Sequence, residues 1–170
     1  MNRRQIMEIL SEIVTRRSVR KFTDKSISDE QIRLILEAAR MAPSGSNMQP
    51  WDFIVVKSHE MKEKIVSLDH NQKWMLDAPV FIICIGNAGY RKEDELTRAI
   101  RDSAIATDHM LLQIEHMGLS TCWTGWYEQE EMRELLGLDD NCYVTGVLPI
   151  GYGSEKPAAR PRRELVYKVI

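Results

Sequence analysis

Nothing in this 170-residue chain concentrates charge of one sign across its length. Lys and Arg number 23 against 25 Asp and Glu, a formal net charge of -2. Nucleic acid and anionic membranes are therefore weak candidate partners, and basic residues must act locally. No apolar stretch reaches the roughly 18 residues of a membrane span. Cysteine is scarce. Cys84, Cys122 and Cys142 form no CxxC pair and read as buried free thiols. The odd count, with no signal peptide, points to a reducing cytoplasm. No Walker loop occurs, and no glycine-rich dinucleotide fingerprint follows a strand. His59, His70, His109 and His116 lack metal-ligand spacing, so no metal site is expected. Ser18, Ser44 and Ser46 have no assignable His partner, which removes a nucleophilic triad. What is left is a single domain over residues 1–170, 44% hydrophobic, with a core that needs no metal or disulfide.

The pattern along the chain is irregularly interleaved helix and strand, an α+β domain without clean βαβ repetition. Residues 4–14 place Ile6, Ile9, Leu10 and Ile13 on one helical face. Ser28 followed by Gln31 is a capping box, and the next helix carries Ile32, Ile35, Leu36 and Ala39 until Pro43 stops it. Residues 52–57 read as a strand and 59–68 as a helix. Pro79 opens an unbroken apolar strand, Val80 to Ile85, whose composition asks for cover on both faces. Gly86 to Arg91 reads as a turn or loop. A long helix fills about 95–117 and is apolar on more than one face, as at a deep core or a subunit seam. Leu119 to Tyr127 is an aromatic-rich short strand and loop. Glu128 to Leu136 is helical, and 142–150 is a strand with a bulge or close approach near Gly146. Residues 165–170 alternate apolar and polar side chains. That terminal strand must pair, either with this sheet or with a partner subunit's.

Two segments carry the chemistry. Arg16-Arg17-Ser18-Val19-Arg20-Lys21-Phe22 concentrates forked donors suited to phosphate oxygens. If extended, it shows Arg16, Ser18 and Arg20 on one face and Arg17 and Val19 on the other, with Phe22 as an anchor. Ala42-Pro43-Ser44-Gly45-Ser46-Asn47-Met48-Gln49-Pro50-Trp51 offers hydroxyls, amides and a glycine for close backbone approach. Trp123, Trp126 and Tyr127 around Thr124 and Gly125 suit either a core plug or a wall beside a planar ligand. Arg162 and Arg163 supply further positive charge. With no catalytic constellation of its own, the chain looks built to hold a cofactor that does the hard chemistry.

These segments resemble the nitroreductase family of FMN-dependent oxidoreductases. The resemblance runs through the two blocks above, then Gly118-Leu119-Ser120-Thr121-Cys122-Trp123, then Leu148-Pro149-Ile150-Gly151-Tyr152-Gly153 with Arg162-Arg163, in family order across nearly the whole chain. It implies a mixed, mainly antiparallel sheet flanked by helices in an intertwined homodimer, with the C-terminal tail exchanged between subunits. It implies noncovalent FMN at the dimer interface. Arg16 and Arg20 would grip the phosphate with help from Arg162, while Arg17 and Ser18 complete the pocket partly through backbone groups. Pro43 and Ser44 belong to the second block, Ser44 at the subunit seam. Asn47 matches the family's amide near the flavin and ribityl oxygens. Thr121, Cys122, Trp123, Thr124 and Gly125 would follow the isoalloxazine edge, with a backbone N–H near Thr124 facing flavin N5.

The implied reaction is ping-pong: NADH or NADPH gives hydride to FMN, and a nitroaromatic, quinone or related small-molecule acceptor then collects it. Two other readings keep the same cradle. One is a noncatalytic flavin-binding or sensing module. The other is a reductive dehalogenase, whose charged helical cluster would fall on Glu60, Glu63 and Lys64, though helix-surface salt bridges account for those residues better. A third reading is an interaction protein whose long helix and tail only dimerise. The short lid region around 87–95 shows no substrate reader.

Overall fold

The computed structural model describes residues 9–90 and 96–170. Its centre is strand β2, Val80–Asn87, buried along nearly its whole length as its uninterrupted apolar run requires. β2 pairs antiparallel with β1, Trp51–Val56, and with β4, Cys142–Gly151. β4 in turn pairs antiparallel with the two-residue β3, Ser120–Thr121, so the sheet order is β1-β2-β4-β3.

Alternation along β2 divides the core in two. Phe81, Ile83 and Ile85 point to one face, where they pack with Ile65, Val66, Met75 and Met132. These partners come from α3, His59–Leu68, from α5, Gln129–Leu136, and from the 3₁₀ turn Lys73–Asp77. Val80, Ile82 and Cys84 point to the other face, against Ile32, Ile35, Ala39, Met110 and Ile114. Those belong to α2, Asp29–Arg40, and α4, Leu96–His116. The start of α4 crosses β2 so closely that a Cβ on Gly86 would lie 2.8 Å from the Ala99 carbonyl carbon.

The predicted capping box holds: Gln31 N–H donates to Ser28 Oγ at 3.1 Å, and the Gln31 side chain accepts from Ser28 N–H at 3.0 Å. The bulge predicted near Gly146 is also present. Cys84 pairs with Gly146 but Ile85 pairs with Val144, so Thr145 is the extra residue. Its consequence is a change of parity. Val144 and Val147 reach the same core although they are three residues apart.

Three expectations change. The first helix, α1, is Ser11–Thr15 and buries nothing; Ile9, Leu10 and Ile13 are exposed, while the expected turns from residue 4 to 8 lie outside the described residues. The segment after Gly86 is strand to Asn87 and then a 3₁₀ turn, Ala88–Tyr90, because its backbone still pairs with β4; residues 91–95 of the turn, the lid and the helix start lie outside the described residues. Residues 165–170 form no strand within this chain, and Leu165 and Val166 are 80% and 90% exposed.

Candidate functional site

The basic segment is extended, as its alternation suggested. Ser18 bridges in parallel to Thr121, Val19 N–H donates to the Thr121 carbonyl at 3.1 Å, and Phe22 bridges to Gly153. Val19 and Phe22 are buried and hold the segment to the sheet. Its two faces then diverge. Alternation along an extended segment puts Arg16, Ser18 and Arg20 on one side, and each of them pulls the buried Cys122 thiol down. Arg17 turns the other way: its guanidinium donates to the carbonyls of Val14 and Arg16, each at 2.8 Å. It lines a groove of about 470 Å³ with Thr15, Val19, Glu115 and Ser120. A role for Arg17 in the same cradle therefore falls to its backbone.

Arg20 stands with its guanidinium 5.7 Å from the Trp74 ring centroid, and Trp74 stacks on Phe22 at 6.5 Å. Glu155 does not neutralise it. That carboxylate accepts the Arg20 backbone N–H at 3.1 Å and pairs with Lys21 at 3.7 Å. Among the described residues, neither Arg16 nor Arg20 has its guanidinium in an ion pair. Their forked donors suit an anion.

Opposite them runs Thr121 to Tyr127. Thr124 exchanges both backbone hydrogen bonds with Val147, at 3.0 and 2.9 Å. Trp123 fills the space of a missing side chain: a Cβ on Gly146 would meet its Nε1 at 2.0 Å, and that N–H donates to the Thr145 carbonyl at 3.0 Å. Tyr127 OH donates to the Val144 carbonyl at 3.1 Å, and burial pushes its phenol far up. Burial also raises the Cys122 thiol, against the opposing pull of Arg20, Ser18 and Arg16. Cys122 is therefore a neutral thiol at ordinary pH, and the buried Cys84 and Cys142 likewise stay protonated. The hydroxyls of Thr121 and Thr124 are buried without a hydrogen-bond partner among the described residues. The expectation of a free N–H near Thr124 narrows: the Thr124 amide is committed to Val147, and the exposed Gly125 has the amide without an acceptor among the described residues.

The third component is the turn after Pro43. Ser46, Asn47 and Gln49 all have positive φ, at 53°, 54° and 51°. Such non-glycine conformations cost about 1–3 kcal/mol each and persist where surroundings enforce them. Here Ser44 Oγ accepts from Gln49 N–H at 2.9 Å, and Gly45 N–H donates to the buried Asp102 at 3.1 Å. Gly45 serves as this anchor rather than as the residue of special φ. Pro43 and Asn47 are exposed, with the Asn47 side chain presented to solvent.

Sequence reasoning missed the residues that position these segments. Asp102 sits within the buried stripe of α4 between Ala99 and Ala106, a carboxylate where an apolar residue is expected; that was a readable signal. Asp69, just past α3, gave none, yet it is fully buried and accepts from Gln72 Nε2 at 2.9 Å and from Trp126 N–H at 3.2 Å. Trp74 under Arg20 was likewise not singled out. Arg162 and Arg163 lie in the exposed tail, and no hydrogen bond or ion pair among the described residues brings them to Arg16 or Arg20. Glu60 pairs with Lys64 at 2.7 Å and Glu63 with His59 at 3.4 Å, surface pairs along α3. No group of three or more potential metal ligands occurs among the described residues.

The family model described as the nitroreductase family matches residues 13–71 and 61–152. A putative NADH dehydrogenase/NAD(P)H nitroreductase of Methanothermobacter thermautotrophicus is 36% identical over 158 residues, covering 91% of this chain and 82% of its own. One of the same name from Archaeoglobus fulgidus is 37% identical over 153 residues, covering 88% and 87%. Among solved structures, a putative NADH dehydrogenase/NAD(P)H nitroreductase from Bacteroides thetaiotaomicron superimposes with a TM-score of 0.82 at 28% identity, covering 93% of this chain and 95% of that one.

Proposed function

As the chain belongs to the nitroreductase family, we propose that it holds FMN between the Arg16–Arg20 face and the Thr121–Gly125 segment and passes hydride from NAD(P)H to a nitroaromatic, quinone or related acceptor. Its activity is that of an NAD(P)H-dependent flavin oxidoreductase. Relatives matching 91% and 90% of the chain are named FMN reductase [NAD(P)H], from Bacillus subtilis, and NADPH-flavin oxidoreductase, from Vibrio harveyi.

The observation that carries the site is a pair of guanidinium groups without carboxylate partners among the described residues, on a segment whose Ser18 bridges to Thr121 and whose Val19 N–H donates to the Thr121 carbonyl. An elongated ligand with a phosphate at one end and polar ring edges at the other fits that donor set. Arg16 and Arg20 bind the phosphate, and Ser18 adds its hydroxyl. Gly125 N–H donates to the ring edge where Thr124 cannot. Trp123, wedged against Gly146, keeps that wall in place and excludes water. Asn47 contributes its amide to the polyol or ring oxygens, on a turn fixed by Asp102. Held there, FMN would supply two-electron hydride chemistry between a nicotinamide and a second ligand that uses the same slot in turn, a ping-pong sequence.

Within one chain this cradle is an open surface, with Ser18, Arg20 and Asn47 exposed. We read the working form as a homodimer. The tail of each subunit docks on the other, bringing Arg162 to the phosphate and covering the apolar side chains of residues 165–170. The half-exposed Ile100, Ala104 and Leu112 of α4 suit the seam. Glu60 is paired with Lys64 and Glu63 with His59 along α3, which removes the motive for a dehalogenase.

Purified protein is expected to be yellow or to bind added FMN. Anaerobic NADH or NADPH then bleaches the flavin band, and turnover with a quinone exceeds that of free reduced FMN. An FMN-saturated protein that neither nicotinamide reduces would refute the oxidoreductase assignment and leave a binding module.

A further inference from the structure

Trp126 is held open rather than buried. It is 65% exposed, yet every polar backbone group it has is fixed. Its N–H donates to Asp69 Oδ1 at 3.2 Å, and its carbonyl accepts from His70 Nδ1 at 2.6 Å. The carbonyl can only accept, so Nδ1 carries the proton. The His70 ring lies flat on the indole, with centroids 4.0 Å apart and planes 12° from parallel. His70 and Asn71 reach this position with φ of 52° and 53°, the left-handed region that non-glycine residues avoid. A strained turn, a buried carboxylate and a stacked imidazole therefore combine to present one aromatic plate. His70 covers one face of that plate, so its exposure belongs to the other face and the edges. The plate is adjacent in sequence to Gly125, whose amide has no acceptor among the described residues.

We infer that Trp126, backed by His70, is a stacking subsite for a planar, electron-poor ring entering beside the Thr121–Gly125 segment. The inference rests on the flavin-site reading above. An indole face is electron-rich and prefers offset stacking on electron-deficient rings. Oxidised nicotinamide, quinones and nitroaromatics share that property, so the donor's oxidised product and the acceptor are two sources of one chemistry. Fixing the plate in advance removes the ordering penalty that a mobile side chain would add to binding.

The test uses full-length, FMN-loaded protein and equilibrium binding read from perturbation of the flavin absorbance, without turnover. One arm titrates NAD⁺ and NADP⁺, the other menadione. Trp126→Ala is expected to weaken at least one arm by about five- to tenfold, and Trp126→Phe to stay within about twofold of wild type. His70→Ala, which leaves the indole but removes its support, is expected to fall between them. The arm that moves identifies the ring. Wild-type affinities in both arms for a yellow Trp126→Ala protein overturn the subsite alone. A Trp126→Ala protein that changes its sedimentation from dimer to monomer, with ring affinities intact, also overturns it and makes Trp126 an interface residue. Wild-type protein that takes up no FMN instead sinks the flavin-site reading on which the subsite rests.

Discussion

The segment Thr121–Tyr127 and the tail after Gly153 both carry apolar side chains, uncharged neighbours around the first and charged ones around the second, and have opposite fates. The first is held at nearly every group: Thr124 by Val147, Trp123 by Gly146 and Thr145, Trp126 by Asp69 and His70, Tyr127 by Val144. The second has its apolar residues in solvent, Tyr167 at 78% and Val169 at 84% exposure. A single chain thus preforms one wall of the proposed cradle with Arg16 and Arg20, and leaves the other, with Arg162, unattached. Burial of such side chains stabilises by about 1.5–3 kcal/mol each, so a chain that exposes several has a surface suited to a second copy.

If the tail is the missing half, its removal has the largest effect. Deleting residues 164–170 takes away Leu165, Val166, Tyr167, Val169 and Ile170 together. Burying even two of them in the dimer contributes about 3 kcal/mol or more, and the dimer dissociation constant is expected to rise at least about a hundredfold in sedimentation equilibrium. The circular dichroism of the isolated fold stays unchanged, since the tail makes no secondary structure. An unaltered monomer–dimer equilibrium would separate the two regions and make the tail an accessory.

A smaller effect falls on the preformed half. Arg20 is exposed and makes no ion pair among the described residues, so Arg20→Ala leaves thermal stability within about 0.5 kcal/mol of wild type. Losing a charge-assisted contact to phosphate weakens FMN by about 1.5–3 kcal/mol, roughly ten- to a hundredfold in dissociation constant by calorimetry. Arg162→Ala sharpens the contrast, because it weakens FMN only where the tail can dock. Arg20→Ala protein that binds FMN as wild type does would remove Arg20 from the cradle.

The regular elements were legible because local period determines them. The capping box at Ser28, the 59–68 helix and the apolar run of β2 each state their own burial. The bulge at Gly146 was legible too, since glycine in a strand signals close approach, though not that Trp123 fills the gap. The positioning of the site was less so. His70, Asn71, Ser46, Asn47 and Gln49 adopt glycine-like φ without being glycine, and partners distant in sequence enforce it. The alternation of Arg16, Ser18 and Arg20 could be read. The separate fate of Arg17 came with it, but the opposing Asp69 and Trp74 did not, because nothing local marks a loop carboxylate as buried. The first helix failed for the converse reason: Ile9, Leu10 and Ile13 have a helical period but stay exposed among the described residues.

The smallest expected effect tests the pin itself. Burial raises the Asp69 carboxyl above its ordinary value, while Gln72 and the Trp126 N–H pull it back. One of its oxygens, Oδ2, is buried without a partner. A carboxyl raised in the folded state favours folding fully below its unfolded value near 4, and that contribution fades as pH climbs through the folded value. Asp69→Asn keeps an acceptor for Trp126 N–H and cannot ionise. Its urea midpoint is expected to improve relative to wild type as pH rises from 4 to 8, and to compare worst with wild type at pH 4. Parallel curves for the two proteins across that range would mean that Asp69 holds Trp126 by geometry alone. The two halves of the site would then differ only in what they touch, and not in a charge buried to hold one of them still.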